Sequence, residues 1–111
     1  MTDNINFKRI ENDIQTDQVV LYMNGTPMFP RCCTSAMVVQ FLDSYKIDYK
    51  SYNLMEEISL LDCLKEYTGR AVIPQLFIAG RLIGMGEDLR EMFVNGEILK
   101  ILAANNITKV S

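Results

Sequence analysis

Two strand-type runs separated by a single amphipathic helix decide most of what this chain can fold into. The first run, QVVLYM at residues 18–23, is short, apolar and rich in strand formers, and it stops at the turn pair Asn24-Gly25. After a loop carrying Pro27 and Pro30, residues Met37, Val38, Phe41, Leu42 and Tyr45 recur at steps of three and four. That stripe predicts a helix ending near Lys46. The second run, IDYKSYNL, alternates as a strand does. Strand, helix, strand in that order makes a crossover, so the two strands pair in parallel.

The rest of the chain extends this unit. Ile5, Arg9 or Ile10, and Ile14 sit at helical spacing ahead of the first strand. Residues 57–67 return to helical spacing through Ile58, Leu61, Leu64 and Tyr67, with Gly69 as the stop. PQLFIAGRLIG predicts a hairpin turning at Ala79-Gly80, and EDLREMFVNGEILKILAAN predicts one or two closing helices broken at Asn95-Gly96. The expected fold is α/β, a four-stranded mixed sheet with helices on both faces, and 111 residues suit one domain spanning 1–111.

Composition excludes several chemistries. There is no histidine, so His-assisted nucleophiles, His proton relays and His-containing metal sites are ruled out within this chain. The net charge of -3 comes with no basic block, so nucleic acid is not an expected partner. MTDNINFKRIENDIQTD at the start has no long apolar run, so no membrane partner and no secretory signal are expected, and the expected setting is cytoplasmic. The cysteines are Cys32, Cys33 and Cys63, an odd set that argues for free thiols over a disulfide framework.

In open α/β sheets ligands collect where a loop leaves the carboxyl end of a strand and feeds a helix, and Cys32 falls there. Pro30 stiffens its approach, Arg31 adds a positive neighbour, and the unpaired N–H groups of a helix start attract an anion. Cys32 is the reactive candidate. Neighbouring Cα atoms stand about 3.8 Å apart, below the usual disulfide span of about 4.4–6.8 Å, so a Cys32–Cys33 bridge would be strained. Cys33 is either a small space-filling residue or an auxiliary thiol. Cys63, between Leu60 and Leu64 on a helical run, reads as a core thiol.

The runs VVLYMNGTPMFPRCCTS and VIPQLFIAGRLIGMGEDLREM, at this separation, resemble the monothiol glutaredoxins over nearly the whole chain. The resemblance implies a thioredoxin fold. It also implies that Cys32, which matches the signature cysteine, ligates a two-iron two-sulfur cluster together with glutathione at a homodimer interface. BolA-like proteins and apo iron–sulfur acceptors are the further partners it implies. Cys33, Thr34 and Ser35 replace the usual Gly-Phe-Ser, and Ser35 stands where dithiol relatives keep a second cysteine. Pro74 matches the family's cis-proline, with Ile73 offering backbone hydrogen bonds to glutathione, and Gly86, Glu87 and Asp88 offer a helix start to the same ligand.

The sequence also departs from that pattern. Asn24 stands where the family usually has lysine, Leu61 where a basic residue often falls, and Arg70-Ala71-Val72 where it has Trp-Pro-Thr. Gly84-Met85-Gly86-Glu87 replaces Gly-Gly-Cys-Asp. Two cationic anchors for glutathione are therefore missing, and Arg70 or Arg31 is the expected substitute. Cys33 and Met85 fill glycine positions and make the site bulkier. Three functions follow: a cluster carrier; an enzyme in which Cys32 takes the glutathionyl group from a mixed disulfide and a second glutathione releases it; and an interaction module that has lost its ligand.

Overall fold

A computed structural model describes residues 5–107, in the order α1 (Ile5–Thr16), β1 (Val19–Met23), α2 (Cys33–Tyr45), β2 (Lys50–Asn53), α3 (Ile58–Thr68), β3 (Gln75–Ile78), β4 (Arg81–Met85), α4 (Asp88–Val94) and α5 (Glu97–Ala104). The ends of the expected domain, residues 1–4 and 108–111, lie outside the described residues. The strands form one sheet in the order β2-β1-β3-β4. β1 and β2 pair in parallel, as the helical crossover requires, and the β1–β3 and β3–β4 pairs are antiparallel.

The apolar strands β1 and β3 hold the middle, every residue of each buried. Alternation sends their side chains to two cores. Val19, Leu21, Met23, Leu76 and Ile78 pack against Val38 and Leu42 of α2, Leu89 and Phe93 of α4, and Ile98 and Leu102 of α5. Val20, Tyr22 and Phe77 face the other way, against Ile10 and Ile14 of α1 and Leu60 and Leu64 of α3. Burying each such side chain contributes on the order of 1.5–3 kcal/mol, which fixes the sheet as a rigid platform.

Helix ends fall where the expected stops are. Lys46 and Gly69 adopt left-handed conformations at the ends of α2 and α3, and the closing segment is two helices broken at Asn95-Gly96. The hairpin turns on Ala79 and Gly80, both at positive φ, the two-residue geometry that matches strand twist. One element is shorter than expected: only Lys50–Asn53 of the IDYKSYNL run forms a strand. Its partner explains this, because β1 begins at Val19 and the parallel register starts at Val20↔Lys50, which leaves residues 47 and 48 beyond the start of β1. Beneath α1, the Asp13 carboxylate, buried at 6% exposure, accepts hydrogen bonds from the Tyr22 hydroxyl and Arg9 Nε, both at 2.9 Å. Arg9 also pairs with Glu57 ahead of α3, tying the two helices together. Among the described residues no helix is long and apolar enough to cross a membrane.

Candidate functional site

Three chain ends meet at one edge of the sheet. The register sets Tyr22 beside Gln75 and Gln75 beside Met85, so the exit of β1, the entry of β3 and the exit of β4 are neighbours. The loop leaving β1 carries the cysteines. It is held at Asn24, whose carbonyl accepts the Arg31 N–H at 2.9 Å, and at Gly25, whose N–H donates to Asn53 Oδ1 at 2.9 Å. Gly25 has φ +87°, and a Cβ there would lie 2.5 Å from the Phe29 carbonyl oxygen, so only glycine fits.

Cys32 is the N-cap of α2, in extended conformation with φ −147° and ψ 155°. Its sulfur accepts the Ser35 backbone N–H at 3.3 Å, and its thiol donates to Ser35 Oγ at 2.9 Å. Ser35 is fully buried, and its Oγ also accepts the Asn24 N–H at 3.4 Å. When the sulfur is an anion, the same hydroxyl can turn and donate to it, adding a second hydrogen bond to the backbone one. Cys32 is half-buried, Cys33 beside it is exposed, and neither is in a disulfide.

The opposite wall is built around Pro74. The Ile73–Pro74 bond is cis, and the Pro74 carbonyl accepts the Gly86 N–H at 2.8 Å, which locks the turn after β4 against it. Gly86 has φ +58°, and a Cβ there would stand 2.6 Å from Val72 Cγ1. The two walls are joined by Thr34, whose hydroxyl donates to Glu87 Oε2 at 2.6 Å, while Arg90 Nε donates to Oε1 at 3.2 Å. Those partners, Thr34 first and then Arg90, hold the Glu87 carboxyl below its ordinary range.

The sequence-derived site residues are therefore largely brought together. Asn24, Cys32, Cys33 and Thr34 lie on one wall, Ile73, Pro74, Gly86 and Glu87 on the other. Arg70 reaches this end only through its backbone: its carbonyl accepts Gln75 Nε2 at 3.1 Å, and its exposed guanidinium forms no ion pair among the described residues. Leu61 packs on the α1–α3 core, so no charge stands there. Cys63 is buried, donates to Asn6 Oδ1 at 3.4 Å, and burial pushes its thiol up, which is the behaviour of a core thiol.

Two contributors escaped the sequence reading. Asn53 holds both the Gly25 and Met55 N–H groups at 2.9 Å; its polarity at the carboxyl end of a strand was the available signal. Gln75, fully buried, clamps the turn at Thr68 and Arg70 ahead of the cis-proline, and its Oε1 has no partner among the described residues. Among the described residues no group of three or more His, Cys, Asp or Glu is placed to hold a metal ion.

Comparison with known proteins agrees with this architecture. The glutaredoxin family model matches residues 19–83. A probable monothiol glutaredoxin 2 of Rickettsia conorii is 36% identical over 104 residues, covering 94% of this chain and 97% of its own. The mitochondrial glutaredoxin-related protein 5 of Danio rerio is 33% identical over 96 residues, 86% of this chain and 62% of its own. Among solved structures, a monomeric truncated mutant of Trypanosoma brucei 1-C-Grx1 superposes with a TM-score of 0.82 at 25% identity over 99% of both chains. Reduced poplar apo GrxS14 gives 0.74 at 33% identity over 87% of this chain and 89% of its own.

Proposed function

The chain belongs to the glutaredoxin family, and on that premise we propose that it is a monothiol carrier of a two-iron two-sulfur cluster, gripped between two protomers by Cys32 and glutathione. One observation carries the reading. Cys32 caps the helix start with a backbone N–H and a serine hydroxyl on its sulfur, Ser35 occupies the place a second cysteine would need for a dithiol cycle, and the adjacent Cys33 is too close along the chain for an unstrained disulfide.

The donor set fits such a cargo. A cluster of this kind takes four ligands in all, usually thiolates; with Cys32 as the ligand from each protomer, two copies of Cys32 and two glutathione thiols complete the count, and the exposed Cys33 stays outside it. This chain's own residues hold the Cys32 sulfur in place through Ser35 and present it half-exposed. Ile73 beside the cis-proline offers backbone groups for the glutathione main chain, and the exposed Arg70 is the cation nearest in sequence for a glutathione carboxylate. BolA-like proteins and apo acceptors are the partners this reading carries with it.

The reversible Ser35 hydroxyl favours a second reading. Cys32 attacks the glutathione sulfur of a mixed disulfide, the old S–S bond breaks, and the protein thiol leaves. A second glutathione thiolate then attacks the Cys32 adduct, releasing glutathione disulfide and regenerating Cys32. Anaerobic reconstitution with iron and sulfide, with and without glutathione, separates the two. Glutathione-dependent visible absorption lost in Cys32→Ser and kept in Cys63→Ser supports the carrier. Protein that stays colourless but turns over a glutathione mixed disulfide supports the enzyme, and loss of colour in both variants would overturn the role given to Cys32.

A further inference from the structure

The geometry points to a second use of this face: Cys32 and Cys33 together form a two-sulfur site, within one chain, for a soft monovalent cation of the Cu(I) class. Both residues line one shallow, open depression of about 370 Å³, completed by Pro30, Arg31 and Ala36. Cys33 is exposed and makes no hydrogen bond among the described residues, so no existing bond has to break for its sulfur to take up an ion. The adjacency that disfavours a disulfide suits a bridging ion. A disulfide needs its sulfurs about 2.05 Å apart, whereas two metal–sulfur bonds of about 2.3 Å allow sulfurs up to about 4.6 Å apart.

The surroundings select the ion. The cavity lining offers two sulfurs and no carboxylate, and the chain has no histidine, so hard cations and four-coordinate Zn²⁺ lack ligands here. A soft ion content with two thiolates does not. Binding releases two protons and moves no electrons, and the product, one cation with two thiolates, carries a single negative charge. That charge lies in a depression also lined by Arg31, which forms no ion pair among the described residues, and at the positive end of α2, a helix of 13 residues. Occupancy would also take Cys32 away from any other ligand.

The test is an anaerobic titration of reduced protein, without glutathione, against a chromogenic Cu(I) chelator, with the oligomeric state followed by gel filtration. Wild type should take up one equivalent as a monomer. Cys32→Ser and Cys33→Ser should each weaken binding by about a hundredfold, and Cys63→Ser should leave it unchanged. Cys33 is exposed, so its serine variant keeps the fold, which an unchanged melting temperature verifies. Equal affinity in Cys33→Ser, or uptake of half an equivalent with conversion to a dimer, would overturn the proposal. Because no iron, sulfide or glutathione is present, neither result bears on the cluster reading.

Discussion

Restoring the missing cation at position 24 gives the sharpest energetic test of the glutathione site. Asn24 is half-buried at the exit of β1, and only its backbone is engaged, to Ser35 Oγ and the Arg31 N–H. Asn24→Lys therefore removes no hydrogen bond and adds a charge. A hydrogen bond to a charged group contributes about 1.5–3 kcal/mol, and exposed ion pairs about 0.2–1 kcal/mol. A half-buried lysine facing a glutathione carboxylate falls between these, near 1.5 kcal/mol, or about tenfold in affinity. The screening length shrinks from about 8 Å at physiological salt to about 3 Å at 1 M, so most of the gain should vanish at high salt. Calorimetric titration of glutathione into wild type and Asn24→Lys at both salts reads this directly. Equal affinities at low salt would refute the missing-cation argument, and Arg70→Ala in the same assay then shows whether Arg70 already supplies the charge.

Three further outcomes are expected. Ser35→Cys puts a second sulfur where Oγ now stands 2.9 Å from the Cys32 sulfur, so glutathione disulfide should convert that variant to an intramolecular disulfide two hydrogens lighter, whereas wild type gains a glutathionyl adduct; intact mass decides. Burial first, then Asp13, pushes the Tyr22 phenol well above its ordinary range, and burial raises the Cys63 thiol. The unfolded chain releases those protons near pH 10 and about 8.5 while the folded chain keeps them, so the melting temperature should fall as pH rises above about 9, and Tyr22→Phe should flatten the fall above about 10. Gly86→Ala forces a side chain into φ +58° against Val72; the conformational cost of about 1–2 kcal/mol should lower the melting temperature by roughly 4–12 °C.

The fold was legible wherever the signal was local. The apolar run at β1, the three-and-four stripe of α2, and the stops at Lys46 and Gly69 each depend on near neighbours, and each lies where the sequence puts it. β2 was read too long because its length depends on where β1 begins, a fact of register absent from its own residues. At the candidate site, the place of Cys32 at the start of a helix was legible, but the Ser35 hydrogen bonds, the Asn53 clamp on Gly25 and the Thr34–Glu87 bridge were not. The last two join residues 28 and 53 apart in sequence, and only the folded sheet brings them within reach.

The central claim is that one cluster is shared by two Cys32 thiolates and two glutathiones. Native mass spectrometry of protein reconstituted anaerobically with glutathione tests it in a single reading. The account predicts a dimer whose added mass equals two iron, two sulfide and two glutathione, and its absence from Cys32→Ser. A cluster-loaded monomer, a loaded dimer without glutathione, or the same species in Cys32→Ser would contradict it.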